Sequence, residues 1–224
     1  MSSGNTQLAI RVRDVSKRYG RRWALARLSV DIPQGSAVLL TGENGAGKTT
    51  LLRILGTAMR PTYGTIDLFG APVGDDLERV RPRLSLMTHA SYLYEDLSAH
   101  ENLRMVQRLT ASADRAAREA ALERVGLTPH AHRPVRTYSA GMKRRLCLAR
   151  MILRQPDLIL LDEPFGQLDP RGVTLMEDVI REQHRAGRTL IIATHDVDRG
   201  LALCDLHLEL SAGRQMRAPQ PIAA

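Results

Sequence analysis

Gly42-Glu43-Asn44-Gly45-Ala46-Gly47-Lys48-Thr49 is the stretch that decides the fold. The octet spells GxxxxGK[ST]. It stands between the apolar run Ser36-Ala37-Val38-Leu39-Leu40 and a helical pattern from Lys48 to Met59 that Pro61 stops. Strand, glycine-rich loop and helix in that order form a phosphate cradle. The glycines let backbone N–H groups turn inward around phosphate oxygens, where a Cβ would obstruct the approach. A helix starting near Lys48 brings the positive end of its dipole to the same place. Lys48 is set to reach the β- and γ-phosphates, and Thr49, with Thr50 beside it, to offer a hydroxyl to Mg²⁺.

Working outward, the first third alternates polar and apolar positions. LAIRVRDV and WALARLSVDI, with Tyr19-Gly20 between them, read as antiparallel strands joined by a turn. Residues 97–155 are helical in pattern, with helices predicted at Ala111–Val125 and Ala140–Arg154. Beyond them lie a strand at Asp157–Leu161, a helix at Val173–Ala186 and a second buried strand at Thr189–Ala193. Strands alternating with helices imply an α/β fold, a parallel sheet covered on both faces. The expected organisation is a single domain over residues 1–214, β-rich at its start, with a helical block inserted at about 90–155. Residues 215–224, with Pro219, Pro221 and small residues, are expected to be a flexible tail.

Leu158-Ile159-Leu160-Leu161 runs into two carboxylates, Asp162 and Glu163. In an open parallel sheet, ligands sit beyond the carboxyl ends of the strands, so both acids emerge beside the glycine loop. Asp162 suits Mg²⁺, held through water, because that cation takes oxygen ligands and keeps its hydration. Glu163 suits the polarisation of an attacking water at the γ-phosphate. His195 ends the next buried strand, which points it toward the γ-phosphate. Asp169 follows the acidic pair by a short loop and is either a site residue or a turn acid. Ser139 is an N-cap by residue type for the helix Ala140–Arg154, and a bare helix start with a serine is an anion-binding element.

The order of these elements carries a family resemblance over nearly the whole chain: Gly42–Thr49, then Ser139-Ala140-Gly141-Met142, Leu160–Pro164, Leu168-Asp169 and Thr194-His195-Asp196. It resembles the nucleotide-binding subunit of an ATP-binding-cassette (ABC) transporter. The resemblance implies a P-loop ATPase with a RecA-like parallel-sheet core, an N-terminal antiparallel β subdomain and an inserted helical subdomain. It also implies a head-to-tail homodimer that forms on ATP binding, with each ATP held between one glycine loop and the partner's Ser139–Gly141 element. Tyr19 matches the family's adenine-stacking aromatic, and the alternative is a hairpin-turn tyrosine. Two departures stand out. His89 occupies the place of the family's junction glutamine, which puts the usual metal role there in doubt. In the signature Tyr138 replaces leucine, Ala140 glycine and Met142 glutamine, so no contact from Met142 to the opposite ribose is expected.

Small size, His89, Ser139-Ala140-Gly141 with Arg144-Arg145, and Asp162–Phe165 together look like the haem-exporter ATPases of cytochrome c maturation (the CcmA type). The alternative is the ATPase subunit of another small ABC-2-type exporter, for a drug, lipid or peptide. Either requires ATP, Mg²⁺ and separate membrane subunits, with the chain peripheral at the cytoplasmic face of the plasma membrane. The cytoplasmic loop of such a partner is expected around Tyr92, Leu93, Tyr94 and Leu97.

Composition narrows the field further. Hydrophobic residues make up 43% of the 224 and charged residues 25%, the balance of a folded globular chain. No apolar stretch approaches the roughly 18 residues of a membrane span. The formal net charge is +8, and all but three basic residues are arginines. Aromatics are only 4% and no basic run is interleaved with them, so nucleic acid is not an expected partner. A soluble ABC protein of ribosome or DNA would carry a second cassette, coiled coils or zinc modules. A kinase or GTPase would lack the SAGM element. Cys147 and Cys204, far apart, suit the core.

Overall fold

Seven of the strands build one sheet whose central members are apolar on both faces, and that sheet sets up the site. The computed structural model describes residues 7–74, 77–109 and 114–222. The chain divides into two units. The first gathers the described residues of Met1–Thr88, Asp157–Pro164 and Ile180–Ala224; the second gathers those of His89–Pro156 and Phe165–Val179. The first stretch holds β1 (Leu8–Tyr19), β2 (Arg22–Pro33), β3 (Ala37–Thr41), α1 (Lys48–Leu55), β4 (Tyr63–Leu68), β5 (Ala71–Pro72), α2 (Leu77–Val80) and β6 (Leu84–Met87). The helical stretch holds α3 (Ala99–Leu109), α4 (Arg115–Arg124) and α5 (Ala140–Arg154). There follow β7 (Leu158–Asp162), α6 (Pro170–Arg185), β8 (Thr189–Ala193), α7 (Val197–Leu201), β9 (Leu206–Ser211), β10 (Arg214–Gln215) and β11 (Gln220–Pro221).

In the first unit β1, β2, β4 and β5 form an antiparallel sheet in the order β2-β1-β4-β5. Ile10 faces Ile32 and Leu68, and Val12 faces Val30 and Ile66, so the apolar half of the alternation lies on one buried face. The second sheet runs β10-β9-β3-β8-β7-β6, with β11 also on β9. Its β6, β7, β8, β3 and β9 are parallel. Every residue of β7 and β8 is buried, as double-sided cover requires. Each such Leu or Ile contributes about 1.5–3 kcal/mol through burial. At the amino ends, Asp157 accepts from Arg83 Nε and from Arg188 Nη1, both at 2.6 Å, tying the starts of β6, β7 and β8 together.

The second unit takes its helix boundaries from local chemistry. Ser98 and Glu101 form a reciprocal capping box, Ser98 N and Oγ donating to Glu101 Oε2 and Glu101 N to Ser98 Oγ. Asp114 caps α4 by accepting from the amides of Ala116 and Ala117. Within that helix the buried Arg118 donates to Gln107 of α3.

Several sequence expectations shift. The helix expected to Met59 ends at Leu55, because Gly56 terminates it before Pro61 is reached. The helix expected at Ala111–Val125 is described from Arg115, residues 111–113 lying outside the described residues. The tail is the clearest correction. Through Ile222 it is bound rather than flexible: Gln215 pairs with Leu210 and Gln220 with His207, and Ile222 N donates to Asp205 O. The otherwise open edge of β9 supplies those partners.

Candidate functional site

β3, β8 and β7 end side by side, with Leu40 in register with Ala193 and Ala193 with Asp162. The chain leaves β3 directly into the glycine loop and α1. Glu43, Asn44, Gly45, Ala46, Gly47, Lys48, Thr49 and Thr50 line a cleft of about 490 Å³, together with Tyr19, Asp162 and Glu163. Gly47 caps α1 at φ 104°. Lys48 Nζ lies back along the loop and donates to the carbonyls of Gly42 (2.5 Å) and Glu43 (3.2 Å). Tyr19, 48% exposed, stands at the hairpin end of β1 and donates its hydroxyl to Met59 Sδ. Arg22 and Ala24 complete the lining. The sequence reading did not name them, although Arg22 lies directly across the hairpin from Tyr19.

The acidic pair splits by environment. Asp162, the last residue of β7, is 6% exposed. Glu163 turns out of the strand at φ 49°, a left-handed backbone unusual for a residue with a side chain. Its amide still donates to Ala193 O, so the ladder holds the backbone while the carboxylate projects. Glu163 Oε2 accepts from Thr194 Oγ1 (3.3 Å) and His195 N (3.4 Å) and meets His195 Nδ1 at 2.8 Å. His195 therefore addresses Glu163 itself. Thr194, to which the sequence reading gave no separate role, is part of the same cluster.

The second unit holds the remaining candidates. Ser139 caps α5, its Oγ accepting from Met142 N at 3.2 Å, and Ser139 and Ala140 are exposed. Gly141 and Met142 form the first turn of α5. Asp169 precedes α6, and its Oδ1 accepts from Gly172 N (2.9 Å) and Arg145 Nη2 (3.1 Å). The Gly172 amide, and then Arg145, hold the Asp169 carboxyl below its ordinary range. Arg145 thus joins α5 to the loop before α6. His89, exposed, is the first residue of this unit.

A glycine loop between a parallel strand and a helix, with a buried carboxylate and a hydrogen-bonded glutamate at its side, defines a phosphate-loop nucleotide-binding protein. The family model described as ABC transporter matches residues 25–166. This chain belongs to the ABC transporter family, and what it contributes is an ABC-type ATPase domain. It is 38% identical over 209 residues to a daunorubicin resistance ATP-binding protein of Streptomyces coeruleorubidus, covering 92% of this chain and 66% of that one. It is 37% identical to a Nod factor export ATP-binding protein I of Burkholderia orbicola (94% and 70% covered). A bacitracin transport ATP-binding protein of Enterococcus faecalis is 31% identical (84% and 62%). The chain thus spans about two thirds of the length of these relatives. Among solved structures, an ATP-binding subunit of an ABC transporter superimposes with a TM-score of 0.87 at 27% identity, covering 96% of this chain and 90% of that one. A dimeric ATP-binding cassette bound to ADP and Pi shares the fold, with a TM-score of 0.87 at 23% identity over 96% of this chain and 99% of that one. Among the described residues no helix is long and apolar enough to cross a membrane.

Proposed function

We propose that this chain binds and hydrolyses ATP as a subunit of an ABC exporter and powers transport through separate membrane subunits. The observation that carries the reading is the Glu163 carboxylate, held by Thr194 and His195 beside the cleft that the glycine loop lines. In that position Glu163 accepts the proton of the attacking water as the γ-phosphoryl transfers. His195 Nδ1 fixes the carboxylate, which leaves Nε2 for a γ-phosphate oxygen. Lys48 exchanges its two carbonyl partners for phosphate oxygens, and the loop amides take the rest of the charge. Tyr19 stacks on the base. His89, in place of the family's glutamine, is assigned to the γ-phosphate.

Thr49 and Asp162 fit Mg²⁺: they offer only oxygen donors, and both line the same cleft. When bound, the ion neutralises charge on the β- and γ-phosphates. Ser139, Ala140, Gly141 and Met142 are exposed or half-buried at a helix start, which suits them to close on the nucleotide of a second copy in a head-to-tail dimer. Asp169, fixed by Arg145, belongs to that same closing surface. Closure on ATP and opening on hydrolysis supply the differential affinity that a transport cycle needs.

The relatives favour a small exporter of the drug or peptide kind over the haem exporter that the sequence pattern put first. Their names speak of daunorubicin, Nod factor and bacitracin. Tyr92 and Tyr94, 66% and 60% exposed, are the surface assigned to the membrane partner, which would hold the chain peripherally at the cytoplasmic face. Glu163→Gln, saturated with ATP and magnesium, should accumulate as a dimer by size exclusion with hydrolysis nearly abolished. Adding Ser139→Arg should return it to monomer with nucleotide still bound. Wild-type turnover in the first variant, or an unaltered dimer in the second, would overturn the reading.

A further inference from the structure

The first unit contains a second hollow, larger than the nucleotide cleft and sharing no lining residue with it. Its volume is about 1090 Å³, compared with about 490 Å³. One wall is aromatic. Trp23 of β2 and Tyr63 of β4 bring their rings to 6.1 Å between centroids, tilted by 34°, and leave them 44% and 62% exposed. Both strands flank β1, whose Arg18 pairs with Trp23 and whose Ser16 pairs with Tyr63. Two large rings left open side by side, in a chain with few aromatics, offer a stacking platform.

Three arginines stand in the rest of the lining. Arg27 comes from β2, and Arg214 and Arg217 come from the segment that follows β9. None of the three forms an ion pair among the described residues, and the lining contains a single carboxylate, Asp14. Arg18 Cζ adds a further positive group 5.5 Å from the Trp23 ring centroid. The segment is held in place: Gln215 pairs with Leu210, and Met216 N donates to Glu209 O at 3.0 Å. Gln215 Nε2 donates to Arg217 O at 2.8 Å, which fixes the turn after β10.

We propose that this hollow binds a planar aromatic anion: a ring system bearing a carboxylate or sulfonate. The ring stacks on Trp23 and Tyr63, and the acid lies among Arg27, Arg214 and Arg217. The site goes beyond the nucleotide chemistry assigned above and depends on none of its residues. A hollow of this size accommodates a drug-sized ligand.

Trp23 is the protein's one tryptophan, so its emission reports on this wall directly. The full chain is titrated with 8-anilinonaphthalene-1-sulfonate, reading energy transfer from Trp23, and in parallel with neutral N-phenyl-1-naphthylamine. Saturable binding is expected, with the sulfonate at least tenfold tighter than the neutral amine and its affinity unchanged by saturating ATP and magnesium. Arg27→Glu, Arg217→Glu and Tyr63→Ala should each weaken the sulfonate at least tenfold. Arg217→Lys should stay within threefold of wild type. These side chains are exposed, and an unchanged circular dichroism spectrum confirms that each variant is folded. Four results would overturn the site. They are equal affinity for the neutral probe, indifference to charge reversal, displacement by ATP, and a single-stranded oligothymidylate binding the wall more tightly than the sulfonate.

Discussion

Replacing Gly47 by alanine stresses the glycine loop where it packs against β2. Gly47 sits at φ 104°, outside the range an L side chain accepts readily, and left-handed backbone costs such a residue about 1–2 kcal/mol. A Cβ there would also stand 2.5 Å from the Ala24 carbonyl oxygen and 2.7 Å from Leu25 Cδ2. Neither neighbour can yield easily: Ala24 is backbone of β2, and Leu25 is fully buried and paired with Lys17 of β1. Overpacking of this kind adds about 1–3 kcal/mol. Gly47→Ala should therefore cost about 2–5 kcal/mol in all. At about 2–4 °C per kcal/mol for a chain of this length, the melting midpoint falls by at least about 4 °C. Gly45→Ala is the control in the same loop. It too has a positive φ, 83°, but its nearest neighbour is the flexible end of Arg22 at 3.3 Å. It should lose only the backbone cost. Thermal unfolding without nucleotide compares the two variants, and calorimetry should show ATP bound at least tenfold more weakly by Gly47→Ala. Coincident melting of Gly47→Ala and wild type would refute the close packing of the loop against β2.

Four further outcomes are expected. Lys48→Ala removes a cation whose hydrogen bonds to charged phosphate are each worth about 1.5–3 kcal/mol, so calorimetry should show ATP binding weakened about tenfold to a hundredfold. His195→Ala removes the 2.8 Å contact to Glu163 but leaves the Thr194 hydroxyl and the backbone amide. Because the imidazole is largely open to solvent, phosphate-release assays should show turnover reduced only about tenfold. Burial pushes both thiols up, Cys204 to about 12, so a thiol reagent at pH 8 should label neither until denaturant is added. Cys204 stays protonated in the folded chain while the unfolded thiol ionises near 9.0, so its contribution is fully present below that pH. Denaturant midpoints should therefore decline as pH rises from about 9 toward about 12.

Local chemistry was legible where neighbours in sequence are neighbours in space. The bounds of α5 and β8 coincide with the sequence reading, because an N-cap serine and a short apolar run between polar residues are local signals. The glycine octet likewise announces its own loop. By contrast, β4, β6 and β9–β11 carry no local signal that marks them as strands, and the prolines and small residues of the tail point to a flexible end. Gln215 and Gln220 carry no strand signal of their own; the free edge of β9 decides their conformation.

By itself, then, the sequence determined the phosphate loop, the alternation of strand and helix and the identity of the acidic pair, since each rests on contacts within a few residues. Only the tertiary structure decided that His195 and Thr194 serve Glu163, 31 or 32 positions away, because that contact exists only once β7 and β8 pair in register. It likewise decided that Trp23, Tyr63 and Arg217 line one hollow, since sheet pairing brings together residues whose separation along the chain carries no signal.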